Sequence, residues 1–394
     1  MTTLTPPDER PDFSLVMGGP LYQMLRRVHL SGSAMELLWR RIVAIVFFAW
    51  LPLLVLSAFE GHLFGTQPLG FLRDIESHVR LLVALPALIF VELIVHQRIW
   101  PVVKRFVERG VVTPDEMPKF YAAVDEVKRT RDSIWLELSL LVLVFTLGHW
   151  IWQHELAMEA ATWYAVPERT GIRLTLAGYW YAFVSIPIFQ FILLRWYLRL
   201  GIWFRFLWRV SRLQLRLLPA HPDRAGGIGF LGRSSYAFGP LLFAQGTLVA
   251  GLIASRILFH AEKLKDFNMT MAGLAVLFVL VILGPLAMFT PQLSRAKRRG
   301  LSEYGALATV YVAEFDEKWI GGGAKGEEIL GTADIQSLAD LANSYAVVKE
   351  MRLVPFGLND VTRLAAATAL PVVPLFLTIM PLEELVTRLL KIIF

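Results

Sequence analysis

Residues 42–59 read IVAIVFFAWLPLLVLSAF, a run of 18 residues without a charged side chain. A helix needs about 20 mostly apolar residues to cross the hydrocarbon core of a bilayer. Further runs of suitable length and hydrophobicity follow along the chain. They are Leu81–Trp100, Ile134–Trp152, Leu174–Leu194, Phe238–Ser255, Met269–Leu293 and Leu364–Leu382. The sequence therefore predicts an all-α polytopic membrane protein with about seven transmembrane helices and a small helical cytoplasmic layer.

The composition excludes other classes of protein. The 394 residues are 55% hydrophobic and only 18% charged, with a mean hydropathy of +0.52. An ordinary soluble domain carries roughly 25% charged residues, so this surface could not stay hydrated without a membrane. The absence of cysteine excludes disulfides and thiolate chemistry. No secretory leader pattern precedes the first apolar run, which we therefore expect to stay in the mature protein.

Lysine and arginine are distributed unevenly between the loops. The segments outside the predicted spans form two alternating sets along the chain. One set carries 29 of these residues and comprises 1–41, 98–133, 199–236 and 293–363, and the other set carries 8. Cytoplasmic loops of inner-membrane proteins hold the excess, so we predict a multi-pass protein of the plasma (inner) membrane with a cytoplasmic N-terminus. The net charge of +6 then reflects contact with anionic lipids on the cytoplasmic side, with no nucleic-acid partner.

Aromatic residues also cluster where the third predicted span ends and the fourth begins. We expect them to form an interfacial belt on the outer side. The cluster comprises Trp150, Trp152, Trp163, Tyr164, Tyr179, Trp180 and Tyr181.

The predicted spans divide the chain into four parts. These are a cytoplasmic N-terminal segment 1–41, a bundle of six spans 42–293, a cytoplasmic helical segment 294–363 and a C-terminal membrane segment 364–394. Within the bundle, a cytoplasmic helix 114–132 and a basic helix and loop 202–236 are predicted. In the third part, Ser302 is expected to begin a helix that ends near Trp319, and a second helix is predicted over 333–351. We expect this pair to pack beneath the membrane bundle.

Five ionisable side chains lie at a similar depth in the predicted inner leaflet. They are Glu92, His96, Glu137, Arg195 and Arg199. Each charged group costs about 2.5–3.5 kcal/mol at the centre of a spanning helix, so these side chains must face protein or water. One interpretation is a pore or substrate pocket that opens to the cytoplasm. The alternatives are ion pairs between the glutamates and arginines that only hold helices together, or a metal site formed by Glu92, His96 and Glu137.

A basic helix is predicted to continue the fourth span as far as Leu218. Four arginines follow one another at steps of four, three and four residues and so share a face: Arg205, Arg209, Arg212 and Arg216. Contact with anionic lipid is the interpretation we favour. A voltage sensor is the alternative, but most of these arginines lie outside the apolar run and do not recur every third residue.

The loop that follows reads HPDRAGGIGFLGR over residues 221–233. Its glycine pattern matches a dinucleotide-binding fingerprint, which we reject because a membrane helix precedes it where a strand is required. The loop could instead hold an anion at the start of the next helix, or it could be a plain turn. The residues assigned to this possible site are His221, Asp223, Arg224, Gly227, Gly229 and Arg233.

Three functions are compatible with these features. The leading prediction is an oligomeric channel or transporter for a small ion or solute, assembled from identical subunits. The inner-leaflet residues and the loop at His221 would then form one cytoplasmic mouth. The first alternative is a membrane enzyme for a lipid or lipid-linked substrate, with His221 and Asp223 as catalytic groups, aided by Glu92 and Glu137. The second is a membrane anchor or sensor whose segment 294–363 binds a cytoplasmic protein. The sequence does not indicate which cofactor, if any, is used.

Overall fold

The computed structural model describes residues 13–27, 37–64, 69–148, 162–168, 171–322 and 332–378. These residues are almost entirely helical. In chain order the helices are α1 (Pro20–Arg27), α2 (Leu38–Phe59), α3 (Ile75–Glu108), α4 (Met117–Arg131), α5 (Ile134–Gly148), α6 (Leu176–Ser211), α7 (Phe230–His260), α8 (Leu264–Ile320), α9 (Ala333–Lys349) and α10 (Leu358–Thr378). One short antiparallel hairpin, β1 (Ala165–Glu168) and β2 (Gly171–Leu174), precedes α6.

Among the described residues, six helices are long and apolar enough to cross a membrane: α2, α3, α6, α7, α8 and α10. The predicted count of seven is not confirmed. Helix α5 is described for only 15 residues, and the rest of its predicted span, 149–152, lies outside the described residues. The end of the last predicted span, 379–382, lies outside them too. The second half of α10, Leu370–Thr378, is a 3-10 helix that contains Pro374, a residue without the N–H that an α-helical hydrogen bond needs.

Three helices are much longer than a bilayer requires. Helices α3, α6 and α8 have 34, 36 and 57 residues, whereas a 20-residue helix is already about 30 Å long.

The end of the bundle formed by residues 98–133 and 199–236 is called the basic end below. The helix predicted over 114–132 is present there as a 3-10 turn, Pro114–Glu116, followed by α4.

Two predicted helix boundaries are wrong. The basic helix does not reach Leu218, because α6 ends at Ser211. The next residues are extended, and the Arg216 N–H donates to the Val111 carbonyl at 2.8 Å, a bond that ties this segment to the chain after α3. Ser302 begins no helix, because α8 passes through it without a break. A capping hydroxyl stabilises a helix only where the first N–H groups are free, and here the preceding turn already supplies their partners.

The helix predicted over 333–351 is α9, which packs mainly against α8 as a hairpin. The base of the hairpin meets the rest of the protein, where the Lys297 ammonium donates to the Met351 carbonyl at 2.8 Å. Farther along α8, Leu307 and Val310 are more than half exposed. The hairpin therefore does not pack beneath the bundle along its length, contrary to expectation. Its predicted binding of a cytoplasmic protein stays a prediction.

The opposite end of the bundle holds a buried polar cluster that was not predicted. Trp163 and Tyr181, expected at the membrane surface, are only 0% and 3% exposed. The Trp163 indole N–H donates to Asp74 Oδ2 at 2.8 Å, and the Tyr181 hydroxyl is hydrogen-bonded to Ser77 Oγ at 2.8 Å. Buried tryptophan and tyrosine need such partners for their polar atoms. The belt is therefore wrong for these two rings, whereas Tyr179 is 52% exposed, as a belt residue would be.

Candidate functional site: a buried ion network and a basic pocket

Two groups of charged residues occur in the part of the molecule that includes the basic end. The first is a buried ion network of Arg41, Glu92, Glu137, Arg195 and Arg199, whose side chains are at most 10% exposed. Glu92 Oε1 accepts from Arg199 at 2.8 Å and from Arg195 at 3.4 Å, and its other oxygen accepts from Arg41. Arg195 also donates to Glu137 at 3.0 Å. The predicted pairing of both glutamates with arginines is therefore present.

Arg41 was not predicted to be part of this site. The first span was predicted to begin one residue later, at Ile42, whereas α2 begins at Leu38 and so includes Arg41 in its first turn. The Arg41 side chain is 3% exposed and pairs with Glu92. With Arg41 the network holds three guanidinium groups against two carboxylates, which leaves one excess positive charge inside the protein.

The alternative of a metal site is not supported. His96 lies one turn from Glu92 on α3, and its Nδ1 is 3.1 Å from Ser14 Oγ. Glu92 and Glu137 are both occupied by guanidinium groups. Among the residues that the structure describes, no group of three histidine or acidic side chains is arranged to hold a metal ion.

An N-terminal strap, residues 13–21, covers the network from the basic end. Three of its apolar side chains are 0–2% exposed: Phe13, Leu15 and Val16. The Phe13 ring lies 5.5 Å from that of Phe206 on α6. The Leu21 N–H donates to Glu137 Oε2 at 2.8 Å, so the strap is bonded to the network itself. The sequence placed this segment in the cytoplasm, and nothing in its short apolar run revealed that it would be buried.

The second group begins with the loop of residues 221–229, called the His221 loop. Asp223 organises its backbone: Oδ1 accepts the N–H groups of Ala225 and Gly227 at 2.8 and 3.1 Å, and Oδ2 accepts that of Gly229 at 2.8 Å. Burial would raise the pKa of Asp223, but these bonds outweigh it and hold the pKa of the carboxyl below its ordinary value. Asp223 is therefore an anion that shapes the loop, and not a free proton donor.

Two glycines of the loop are required for different reasons. Gly227 has φ +95°, in the left-handed region that other residues rarely adopt. Gly229 has an ordinary backbone, but an added Cβ would lie 3.0 Å from Asp223 Oδ2. The glycine pattern thus serves the turn around Asp223, and no strand precedes it to form a dinucleotide site.

His221 contacts the same residue. The Asp223 N–H donates to His221 Nδ1 at 3.2 Å, so this nitrogen is an acceptor. The same Nδ1 lies 2.9 Å from Asp223 Oδ1. No residue of the described chain hydrogen-bonds to Nε2. The side chain is 30% exposed.

His221 and Asp223 line a cavity of about 730 Å³ together with Arg109, Arg216 and Arg233, and we call this cavity the basic pocket. The end of α3, the extended segment after α6, the His221 loop and the start of α7 each contribute a wall. Arg109 was not assigned to any site from sequence. It directly follows α3, more than 100 residues before the loop, and its guanidinium lies 5.5 Å from the Phe230 ring.

The three arginines of the basic pocket have no carboxylate partner among the described residues. Two other arginines expected to contact anions share one carboxylate, since both Arg205 and Arg209 pair with Glu126, the latter at 3.1 Å. Arg224 pairs with Glu350 at 3.0 Å, and Arg212 lies 5.5 Å from the Trp208 ring. The expected row of lipid-binding arginines is therefore divided, and of its members only Arg216 lines the basic pocket.

The ion network and the basic pocket are separate sites. Arg109 lies 17 positions after Glu92 along the helix, which corresponds to about 25 Å. The side chains of α3 between these levels are buried and apolar: Val95, Ile99, Val102, Val103 and Phe106. The predicted single cytoplasmic mouth, shared by the inner-leaflet residues and the His221 loop, is therefore not formed.

The chain matches no protein-family model, no curated protein and no solved structure. The described residues thus define a helical protein with six potential membrane spans. The evidence on its function comes from the ion network and the basic pocket.

Proposed function

We propose that this protein is a multi-pass membrane protein that binds a phosphate-bearing anion in the basic pocket. The observation that carries the proposal is the convergence of three guanidinium groups without carboxylate partners on one cavity. Guanidinium groups match the oxygens of phosphate in charge and in hydrogen-bond geometry. The three arginines and the Asp223 carboxylate of the lining sum to two net positive charges. A phosphate monoester, with about −1.5 to −2 charges near pH 7, complements them.

The phosphate could belong to an anionic lipid or to a soluble compound, which share the same chemistry. The uneven distribution of lysine and arginine supports an inner-membrane protein whose basic end faces the cytoplasm. On that orientation the pocket opens toward the side on which anionic lipids and cytoplasmic phosphate compounds are both present.

Cysteine labelling tests this orientation in a chain that has no cysteine of its own. Lys265 and Ser302 are exposed and lie on α8, about 56 Å apart along the helix. In intact cells we expect an impermeant maleimide to label Lys265→Cys, and to label Ser302→Cys only after the membrane is opened. The reverse pattern would overturn the orientation.

Removing arginines from the pocket should weaken phosphate binding. The double variant Arg216→Ala/Arg233→Ala is expected to bind at least about 100-fold more weakly, because each charge-assisted hydrogen bond contributes about 1.5–3 kcal/mol. Vesicles of phosphatidylcholine with and without phosphatidic acid, and inorganic phosphate in calorimetry, distinguish a lipid from a soluble ligand. Both side chains are exposed, so the melting temperature should not change.

The matched control for this experiment is Arg205→Ala/Arg209→Ala. It removes the same charge from the same end of the bundle, but from groups that lie outside the pocket and share Glu126 as an ion-pair partner. We expect it to keep most of the affinity. Equal losses in the two double variants would indicate nonspecific attraction to a basic surface and would contradict the proposed pocket.

Transport of a small ion or solute by a homo-oligomer is a second candidate. It is favoured by the excess positive charge of the buried ion network, because charged groups within membrane spans often mark ion or substrate paths. The test is flux through proteoliposomes by variants of Glu92, considered together with their stability below.

A further inference from the structure

We propose that a second cavity, between the end of α6 and the middle of α8, binds one anionic phospholipid from the leaflet at the basic end of the bundle. This cavity, called the interfacial cavity, has a volume of about 940 Å³ and joins a wall of arginines to an apolar wall. The inference goes beyond the proposed function, because it does not depend on the binding of phosphate in the basic pocket.

The arginine wall carries charge that the described residues neutralise only in part. Arg212, Arg295 and Arg299 line the cavity, and no acidic residue of the described chain does. Neither Arg212 nor Arg295 has a carboxylate partner among the described residues, and Arg299 has only the exposed Glu303, at 3.9 Å. Guanidinium groups bind the oxygens of a lipid phosphate through charge-assisted hydrogen bonds.

The apolar wall lies where the hydrocarbon-facing part of α8 ends. It includes Ala287, Met288 and the ring of Trp208. Residues 267–294 carry no charged side chain, and Arg295 is the first that follows them. Tryptophan is typical of the boundary between acyl chains and headgroups, and Trp208 is 43% exposed. The cavity therefore crosses the depth at which acyl chains give way to headgroups.

The length of the cavity fits a lipid that lies along α8. Ala287 and Arg299 are 12 positions apart, partly in a 3-10 turn, which corresponds to about 20 Å. That distance accommodates a headgroup on the arginines and the upper part of the acyl chains beside Met288. A soluble phosphate would contact the arginines but leave the apolar wall unoccupied, so the two walls together favour a lipid.

Hydrogen bonds between the two segments hold the cavity in shape. The Gln292 amide donates to the carbonyls of Ser211 and Leu213 at 2.5 and 2.8 Å, where α6 ends and its last carbonyls need partners. Arg299 donates to the Leu217 carbonyl at 3.4 Å. The walls are therefore positioned by contacts within the protein, before a lipid binds.

The test places a fluorophore at the cavity of the full-length protein, which has no cysteine of its own. Ala287→Cys is labelled with a fluorescent maleimide and reconstituted in phosphatidylcholine vesicles. Quenching is compared between phosphatidylglycerol and phosphatidylcholine that carry a nitroxide on the upper acyl chain. We expect phosphatidylglycerol to bind at least about tenfold more tightly, since each basic residue near an anionic lipid contributes about a factor of five. Arg212→Ala/Arg295→Ala should reduce this preference at least about fivefold.

Two controls separate the cavity from the rest of the surface. Leu280→Cys lies on the same helix, is 60% exposed and is outside the cavity, so both lipids should quench its label about equally. Arg205→Ala/Arg298→Ala removes one arginine from α6 and one from α8, neither of which lines the cavity, and should keep the preference. Native mass spectrometry of the unlabelled protein with equal amounts of the two lipids should show the same preference, which identifies a label that blocks the cavity.

Three results would contradict the inference. Equal binding of the two lipids, by quenching at Ala287→Cys and by mass spectrometry, would overturn the lipid site and leave the proposed function intact. Equal losses in the two double variants would show a diffuse attraction to the basic end, and would overturn the site as well. Absence of quenching at Leu280→Cys would contradict the membrane span itself, and with it the proposed function.

Discussion

Glu92→Gln is expected to lower the free energy of unfolding by about 3–5 kcal/mol. The substitution preserves the shape of the side chain but removes the carboxylate on which Arg41, Arg195 and Arg199 converge, and all three guanidinium groups stay buried. The uncompensated positive charge within the network would rise from one to two. Thermal and denaturant unfolding of the purified protein in detergent measures the loss.

Two comparisons make this result specific to the network. Glu108→Gln, on the same helix, removes an exposed partner of Lys104 and should change stability by less than about 1 kcal/mol. Arg199 meets no other carboxylate of the network, so Glu92→Gln/Arg199→Gln should recover much of the loss. Additive losses in the double variant would contradict direct pairing. If Glu92→Gln keeps its stability but loses flux in proteoliposomes, the result would support the transport proposal. It would also contradict a purely structural role for the ion pairs.

Phe13→Ala should release the N-terminal strap, with a loss of about 3–5 kcal/mol if the strap unfolds together with the bundle. The ring is 1% exposed and contacts Phe206 and Trp203, so its removal leaves a cavity beneath the network. The strap also bonds to Glu137 through Leu21. Hydrogen exchange should therefore show faster exchange of the Leu21 amide, and limited proteolysis should cut sooner within residues 13–21.

Met24→Ala is the control for the strap, because that side chain lies three residues beyond it, in α1, and is 60% exposed. It should leave exchange, proteolysis and stability unchanged. If Phe13→Ala behaves like Met24→Ala, the strap contributes no stability and does not cover the network.

The sequence by itself determined the class of protein and the cost of its polar residues. Apolar runs such as 42–59 are long enough for a bilayer, and a helix is the structure that satisfies its own backbone polar groups there. From that cost followed the pairing of Glu92 and Glu137 with arginines, which the structure contains. The helix that follows Thr332 could also be predicted from the sequence. A capping residue and an apolar pattern are local signals, because they involve residues close together in the chain.

Only the tertiary structure decided which charges meet. Arg41 joined the network because α2 extends past its apolar run, and Arg109 joined the pocket because the end of α3 packs against Phe230. The same packing separated the pocket from the network and paired Arg205 and Arg209 with Glu126, which offsets part of their charge. Local periodicity predicts the face on which a residue lies, but not which distant segment covers that face. A group of charges becomes a site only when their partners, or the absence of partners, are settled by contacts between residues far apart in the chain.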